Sequence, residues 1–393
     1  MNREVFILAA VRTAIGKFGG ALAGFSVSEL GAIVIKEALK RSTVSPQEVD
    51  EVFMGCVLQA AQGMNVARQA TLKAGLPVDV PALTLNNVCG SGLKCVNLAA
   101  AMIAAGSAEV MVAGGMENMS GAAYALTKAR FGYRMNDGLL IDTMVKDALW
   151  DAFFDYHMGV TAENVAEKYG ISRLSQDEFS WGSQAKCERA WQAQKFQDEI
   201  VPVPIKTKGG ETVFEVDEFP RKGVTIESLA ALKPAFKKDG TVTAGNATGI
   251  NDGAAAVVLV SAEKARELNL KPLARFVTGA SAGVPPDVMG IGPVFSSRQA
   301  LDQAGLKISD LDLIEVNEAF AAQALAVSKE LDLDPYRVNV NGGAISLGHP
   351  VGASGARILV TLIHELRRRE ERRGLATLCV GGGMGVSAIV EAP

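Results

Sequence analysis

Apolar residues fall into short, nearly unbroken runs along this chain. Residues 5–11 (VFILAAV), 110–113 (VMVA), 254–260 (AAAVVLV) and 376–380 (ATLCV) show no alternation of polar and apolar positions. Strands of that kind are buried on both faces, so the runs predict sheets covered by helices on either side. Ala-rich stretches at 93–105 and after Asn317 predict helices, and two sheets with helices between and around them follow.

The pattern occurs twice. Ala38-Leu39 followed by Val49-Asp50-Glu51-Val52 matches Ala300-Leu301 followed by Leu311-Asp312-Leu313-Ile314, each a helix running into a strand. Val88-Cys89-Gly90-Ser91-Gly92 matches Val351-Gly352-Ala353-Ser354-Gly355, and Met111 to Met116 matches Cys379 to Met384. Three matches in one order predict two copies of a mixed α/β unit. In the second copy the glycine loop runs straight into a last strand. In the first, the counterpart strand comes only at 254–260, which implies a large insertion of different character, about 119–249. The expected division is 1–118 plus 250–271 for the first half, 119–249 for an inserted loop domain and 272–393 for the second half. The insertion holds all three Trp. Within it a helix is expected over 175–196, opening at Ser175, with turns or exposed loops at 206–210 and 219–223.

Composition narrows the class. A net charge of −4 and a pI near 5.6 argue against nucleic acid as partner, because duplex binding needs clustered Lys and Arg. The basic run Arg367–Arg369 with Arg372 and Arg373 is interrupted by Glu365, Glu370 and Glu371 and suits the solvated end of a helix. Five Cys without a Cys-x-x-Cys pair, and three dispersed His, fit neither a disulfide framework nor a zinc site. Free thiols suit a reducing cytoplasm. No stretch has the length and apolarity of a membrane span, and the apolar run at 5–11 reads as a strand rather than a secretory core.

Cys89 stands between the strand-like 82–85 and the helix 93–105, a strand-to-helix corner. A thiol there is either a nucleophile, its thiolate favoured by the helix N-terminus, or a small core residue. Cys95, on the helix itself, reads as core. A nucleophile needs a base. His349, in the Gly-rich loop 342–352, is better placed than His157, and His364 reads as a surface residue. The repeat sets Cys89 opposite Gly352, three residues from His349, so the two corners are expected to meet at the interface of the copies. Cys379 opens a glycine loop that offers bare N–H groups to an oxyanion or makes a structural turn. Asn317 ends a strand and is a helix cap or a site residue.

Taken together, Asn-Val-Cys-Gly-Ser-Gly (87–92), Val-Asn-Glu-Ala-Phe (316–320), Gly-His-Pro-x-Gly-Ala-Ser-Gly (348–355) and Cys-x-Gly-Gly-Gly-Met-Gly (379–385) resemble the signatures of the thiolase family, in order and spacing. The resemblance runs end to end. It implies an α/β, thiolase-like fold of two duplicated mixed-sheet halves in an α-β-α-β-α layering. It also implies a role for each matching residue. Cys89 carries the acetyl group, His349 draws its proton and later helps hold a thioester oxygen, and Asn317 orients a water beside that oxygen. Cys379 removes an α-proton, and the N–H groups of Cys89 and Gly381 form an oxyanion hole. Coenzyme A would lie against the insertion, with Arg221 by the adenine and Ser228 and Thr248 along the pantetheine. Leu149, His157, Met158, Phe236, Ala244 and Phe320 would shape the pocket.

Tyr156-His157-Met158-Gly159 resembles the short-chain, biosynthetic branch of the family. The implied reaction is the reversible joining of two acetyl-CoA to acetoacetyl-CoA and CoA. The implied partners are CoA thioesters as substrates and no tightly bound cofactor, in a cytoplasmic homotetramer whose contact lies at about 120–145. A degradative thiolase of broader chain length is the enzymatic alternative, and His157 speaks against it. A ketoacyl synthase would have a second His where Asn317 stands. A non-catalytic acyl-CoA-binding member would have no reason to keep Cys89, Asn317, His349 and Cys379 together.

Overall fold

The computed structural model describes residues 3–207 and 209–393. Lys208, in the expected turn 206–210, lies outside them. In chain order the principal elements are β1 (Val5–Thr13), α1 (Val27–Ser42), β2 (Glu51–Gly55), α2 (Val66–Lys73), β3 (Ala82–Leu85), α3 (Ser91–Ala104) and β4 (Val110–Asn118). The insertion contributes α4 (Met158–Tyr169) and α5 (Arg173–Gln192). There follow β5 (Asn251–Ser261), β6 (Ala274–Gly283), α6 (Gly292–Ala304), β7 (Leu313–Val316), α7 (Ala321–Leu331), α8 (Val351–Arg369), β8 (Arg373–Val380) and β9 (Met384–Glu391).

The strands line up as β3-β2-β4-β5-β1 in one half and β7-β8-β9-β6 in the other. Where the first half has β3, the second has, among the described residues, a parallel bridge from Ile314 to Val338. The order is otherwise the same, as the repeat predicts. The halves are not two separate sheets. Val5, Phe6 and Ile7 of β1 pair antiparallel with Phe276, Arg275 and Ala274 of β6, so one continuous sheet results. These are equivalent edge strands of the two copies, and pairing them satisfies backbone groups that two separate edges would expose.

The unbroken apolar runs are explained by what each face meets. In β5, Ala255, Val257 and Leu259 pack with α3 and α8, while Ala254, Ala256, Val258 and Val260 pack with α1 and α2. In β8, Ala376, Leu378 and Val380 face α3 and α8, and Leu375 faces the α6 and α7 side. The result is five layers, with α3 and α8 in the middle. A strand buried on both faces needs apolar residues at every position, which erases the alternation of a half-exposed strand.

The middle layer is held by close backbone approach. A Cβ at Gly92 of α3 would sit 2.8 Å from the Ala356 N of α8, and one at Gly355 would sit 2.5 Å from the Leu93 N. One at Gly115 of β4 would lie 2.0 Å from the Gly352 carbonyl oxygen. The corners that the repeat sets opposite each other are therefore in contact.

Two local expectations need correction. The insertion's long helix starts at Arg173, because Ser172 is extended and its hydroxyl accepts the Ser175 N–H at 3.1 Å. The cap is thus Ser172 rather than Ser175. His364 is not a surface residue: it is partly buried, and its Nε2 donates to the Ala10 carbonyl at 2.8 Å.

Gly115→Ala tests the central contact. Because backbone, not a flexible side chain, opposes the new methyl, we expect a loss of at least ~1–3 kcal/mol in urea unfolding. Unchanged stability would show that the halves have slack there.

Candidate functional site

The chain leaves β3 at Leu85 and turns sharply before α3. Val88 adopts φ +45°, a strained conformation for a β-branched residue, costing ~1–3 kcal/mol. Side chains hold the turn. Asn86 Oδ1 accepts the Val88 N–H at 2.9 Å, and Ser91 Oγ accepts the Asn87 N–H at 2.8 Å while donating to the Val88 carbonyl at 2.6 Å. This corner presents Cys89 immediately before the cap residue Gly90. The N–H groups of Gly381 and of Cys89 itself favour the charged form of the Cys89 sulfur. Cys89 is half-buried, and desolvation at this corner nevertheless raises its pKa to about 11; those N–H groups offset only part of this, and the charge of Glu117 adds to it. The expected helix-stabilised thiolate is corrected accordingly: at neutral pH the resting residue is a thiol, because desolvation outweighs the helix N-terminus.

His349 faces this corner from the start of α8. Its N–H donates to Asn251 Oδ1 at 2.9 Å. Its Nδ1 is 2.5 Å from Ser354 Oγ, and that hydroxyl donates its one proton to the Pro350 carbonyl at 2.9 Å. Ser354 must therefore accept from Nδ1–H, which leaves Nε2 as the bare, basic nitrogen. Nε2 is buried and has no hydrogen-bond partner among the described residues. Burial, helped by the charge of Arg357, lowers the His349 pKa to about 3. The pair at neutral pH is thus a thiol and a neutral imidazole with a free lone pair.

A cavity of about 720 Å³ brings together Cys89, His349 and Gly381 with Leu149, His157, Met158, Arg221, Phe236, Ala244, Thr248 and Phe320. His157 caps α4 with Nδ1, which accepts the Gly159 N–H at 3.0 Å, so its proton is on Nε2. Its ring stacks on Phe236 at 4.6 Å, and Phe236 meets Phe320 edge-on at 6.3 Å. Burial lowers the His157 pKa, so a neutral ring serves as an N–H donor. Thr248 already donates its hydroxyl to the Ala344 carbonyl at 2.8 Å and keeps only acceptor capacity for a ligand.

Three expected site residues do not line this cavity. Ser228 is committed to a short helix (Ile226–Ala230), where it accepts the Thr225 N–H at 3.1 Å and donates to the Thr225 carbonyl at 2.7 Å. Cys379 is wholly buried, in one cluster with Met158, Ala247, Met289, Ala319 and Phe320, which themselves line the cavity. Burial pushes its thiol far up, and the charge of Cys89 adds to this, so the two sulfurs are electrostatic neighbours. Asn317 is also wholly buried. It does not cap α7, since Phe320 stands at that N-cap, and neither of its side-chain polar atoms has a hydrogen-bond partner among the described residues.

Sequence reasoning missed Ser354, Asn251 and Glu117. Glu117 is buried at the end of β4, where its carboxylate accepts the N–H groups of Val57, Leu58 and Gly352 at 3.0, 3.1 and 2.9 Å. Its one sequence signal was a carboxylate ending an apolar strand. Ser354 lay inside a quoted motif, but its proximity to the imidazole depends on the turn that opens α8.

The fold and this arrangement define a family, and comparison with known proteins names it. Residues 5–263 match the model of the thiolase N-terminal domain and residues 270–392 that of the thiolase C-terminal domain. The chain belongs to the thiolase family. Among its relatives, an acetyl-CoA acetyltransferase of Cupriavidus necator is 60% identical over 99% of each chain. A Bacillus anthracis acetyl-CoA acetyltransferase superposes with a TM-score of 0.98 at 50% identity, covering 100% of this chain and 99% of that one. A human mitochondrial 3-ketoacyl-CoA thiolase, solved in complex with CoA, superposes with a TM-score of 0.96 at 44% identity, covering 100% and 98%.

Ser354→Ala removes the acceptor that fixes the His349 tautomer. A lost hydrogen bond of ~1.5–3 kcal/mol corresponds to a fall in kcat of about 10- to 100-fold, with KM little changed. Steady-state kinetics checks this, and an unchanged kcat would show that the tautomer is set elsewhere.

Proposed function

We propose that this protein is an acetyl-CoA C-acetyltransferase, which joins two acetyl-CoA into acetoacetyl-CoA and CoA through an acetyl group on Cys89. One observation carries the reading: a thiol and a neutral imidazole with a bare Nε2 share a cavity wall with the Gly381 N–H. The high identity to enzymes of that name supports the choice of reaction.

Proton accounting orders the steps. His349 Nε2 takes the Cys89 proton as the sulfur attacks the acetyl carbonyl, and the oxyanion is held by the N–H groups of Cys89 and Gly381. To hold the second substrate's thioester oxygen later, His349 must keep that proton. The leaving CoA thiolate is therefore protonated by Cys379, which becomes a thiolate. Burial makes that thiolate strongly basic, as removal of a weakly acidic α-proton requires. The enolate oxygen is held by His349 Nε2–H and by a water on the Asn317 amide. Attack of the carbanion on acetyl-Cys89 releases the Cys89 thiolate, which regains its proton from His349, and Cys379 retains the α-proton. Both cysteines end as thiols.

His157, stacked on Phe236, narrows and polarises the acyl end and favours acetoacetyl-CoA over long chains. We assign coenzyme A to the insertion side, with Arg221, Leu149 and Thr248 as contacts, and retain the division 1–118 plus 250–271, 119–249 and 272–393. We assign the protein to the cytoplasm, the compartment its free thiols suit; among the described residues no helix is long and apolar enough to cross a membrane. The homotetramer contact is placed at 120–145, where Phe131, Met135 and Leu139 are more than four-fifths exposed (89%, 85% and 82%).

Mass spectrometry after mixing with acetyl-CoA should find an acetyl adduct on Cys89. Cys379→Ser should form the adduct more slowly, for want of an acid for the leaving thiolate, and lose condensation by more than ~100-fold. An unmodified wild-type Cys89 rejects the enzyme assignment, and faster cleavage of a long-chain 3-ketoacyl-CoA than of acetoacetyl-CoA rejects the substrate. With a Cys89 pKa of about 11, alkylation by iodoacetamide should still rise with pH through about pH 9. A plateau by about pH 8 would mean a preformed thiolate.

A further inference from the structure

Four consecutive residues of the insertion, Glu218, Phe219, Pro220 and Arg221, line the cavity. Asp217, just before them, does not, and is buried against β1. Arg12 of β1, fully buried, grips it with a two-pronged ion pair, Nη1 to Oδ1 at 2.7 Å and Nη2 to Oδ2 at 3.0 Å. The Arg12 Nε donates to Glu199 at 2.6 Å, and Glu199 also accepts from Thr361 Oγ1 at 3.1 Å. The grip extends along the strip. Asp217 Oδ1 accepts the Ile15 N–H at 2.7 Å, and the Glu218 N–H donates to the Ile15 carbonyl at 2.9 Å. Glu218 Oε2 accepts the N–H groups of Lys17 and Ala21, both at 3.1 Å.

The clamp and the chemistry are on different elements. Cys89, His349 and Gly381 come from the two catalytic corners and the glycine loop. The wall's Lys and Arg, Lys17 and Arg221, both belong to the clamped segments. A CoA thioester carries its negative charges on the nucleotide, far from its reacting carbonyl. The nucleotide therefore falls to the clamped strip, an assignment that rests on the CoA-thioester reading above.

We propose that Arg12 is a positioning residue for substrate recognition. By gripping Asp217 it fixes residues 218–221 against the cavity and sets affinity for the nucleotide end of the thioester without touching it. Ser/Thr or Gln partners could not replace it, since the planar fork meets both carboxylate oxygens at once.

The test compares substrates with and without a nucleotide. In Asp217→Asn, KM for acetyl-CoA should rise roughly 10- to 100-fold, the scale of a displaced binding wall. Its kcat at saturation, and the kinetics with S-acetylpantetheine, should be retained. Calorimetry should show the same split, with CoA binding weakened and pantetheine binding unchanged. Arg12→Lys, which keeps the buried charge and loses the fork, is the second variant and should show the split even if Asp217→Asn folds poorly. Equal losses for both substrates, or no loss for either, would overturn the proposal. Calorimetry separates this from the proposed function: a wild type that binds CoA but forms no acetyl-enzyme sinks the reaction and leaves the clamp standing.

Discussion

The close approach of two helix starts is the constraint on which the rest of this molecule depends. α3 and α8 meet where Gly92 faces Ala356 and Gly355 faces Leu93, and Gly115 of β4 lies against the Gly352 carbonyl. Side chains at these positions would push the halves apart. Because the helices meet at their N-terminal turns, the residues just before them converge: Cys89 before α3, and His349 before α8. Glu117 reinforces the junction by accepting N–H groups from Val57 and Leu58 in one half and from Gly352 in the other. A catalytic pair divided between two copies of one unit thus comes together through backbone packing.

Much of this was legible in the sequence. The apolar runs marked strands covered on both faces, and the repeat put Cys89 opposite the His349 loop. Those signals are local or depend on one-to-one correspondence. What was not legible depended on distance in three dimensions. Pairing of β1 with β6 joins strands far apart in the chain, and no periodicity announces it. The family resemblance implied Ser228 as a ligand contact, yet its hydroxyl is committed to its own helix. The resemblance implied Cys379 as the second catalytic thiol. Its side of β8 is wholly buried and packs with Met158 and Phe320, and strand alternation alone does not say how near a cavity that face lies.

Electrostatics was the least legible level. A cysteine at a helix start suggests a stabilised thiolate, and the dipole does act in that direction. Burial acts the other way and is larger here, as the Cys89 pKa of about 11 records. Composition and spacing carry no information about how much water a corner keeps. The same burial lowers His349 to about 3, so sulfur and imidazole stay neutral together rather than forming an ion pair. A neutral pair is reactive only once a substrate carbonyl arrives to take up the negative charge, which restricts alkylation or oxidation of the resting thiol.

Arg357 extends this argument. It lies on α8 beyond Ser354, wholly buried, 3.5 Å from Glu315 and with no hydrogen bond to its guanidinium among the described residues. Burial lowers its pKa and raises that of Glu315 to about 8, while the attraction between them opposes both shifts. A buried pair so loosely bonded contributes little net stability, because desolvation consumes the Coulombic gain. Its effect falls on its neighbour: the positive charge of Arg357 is the second cause, after burial, of the depressed His349 pKa. That charge helps burial keep the imidazole unprotonated between turnovers, so Nε2 is free to accept the thiol proton. Once His349 holds that proton, the same repulsion favours handing it on, which returns Cys89 to its thiol at the end of the cycle.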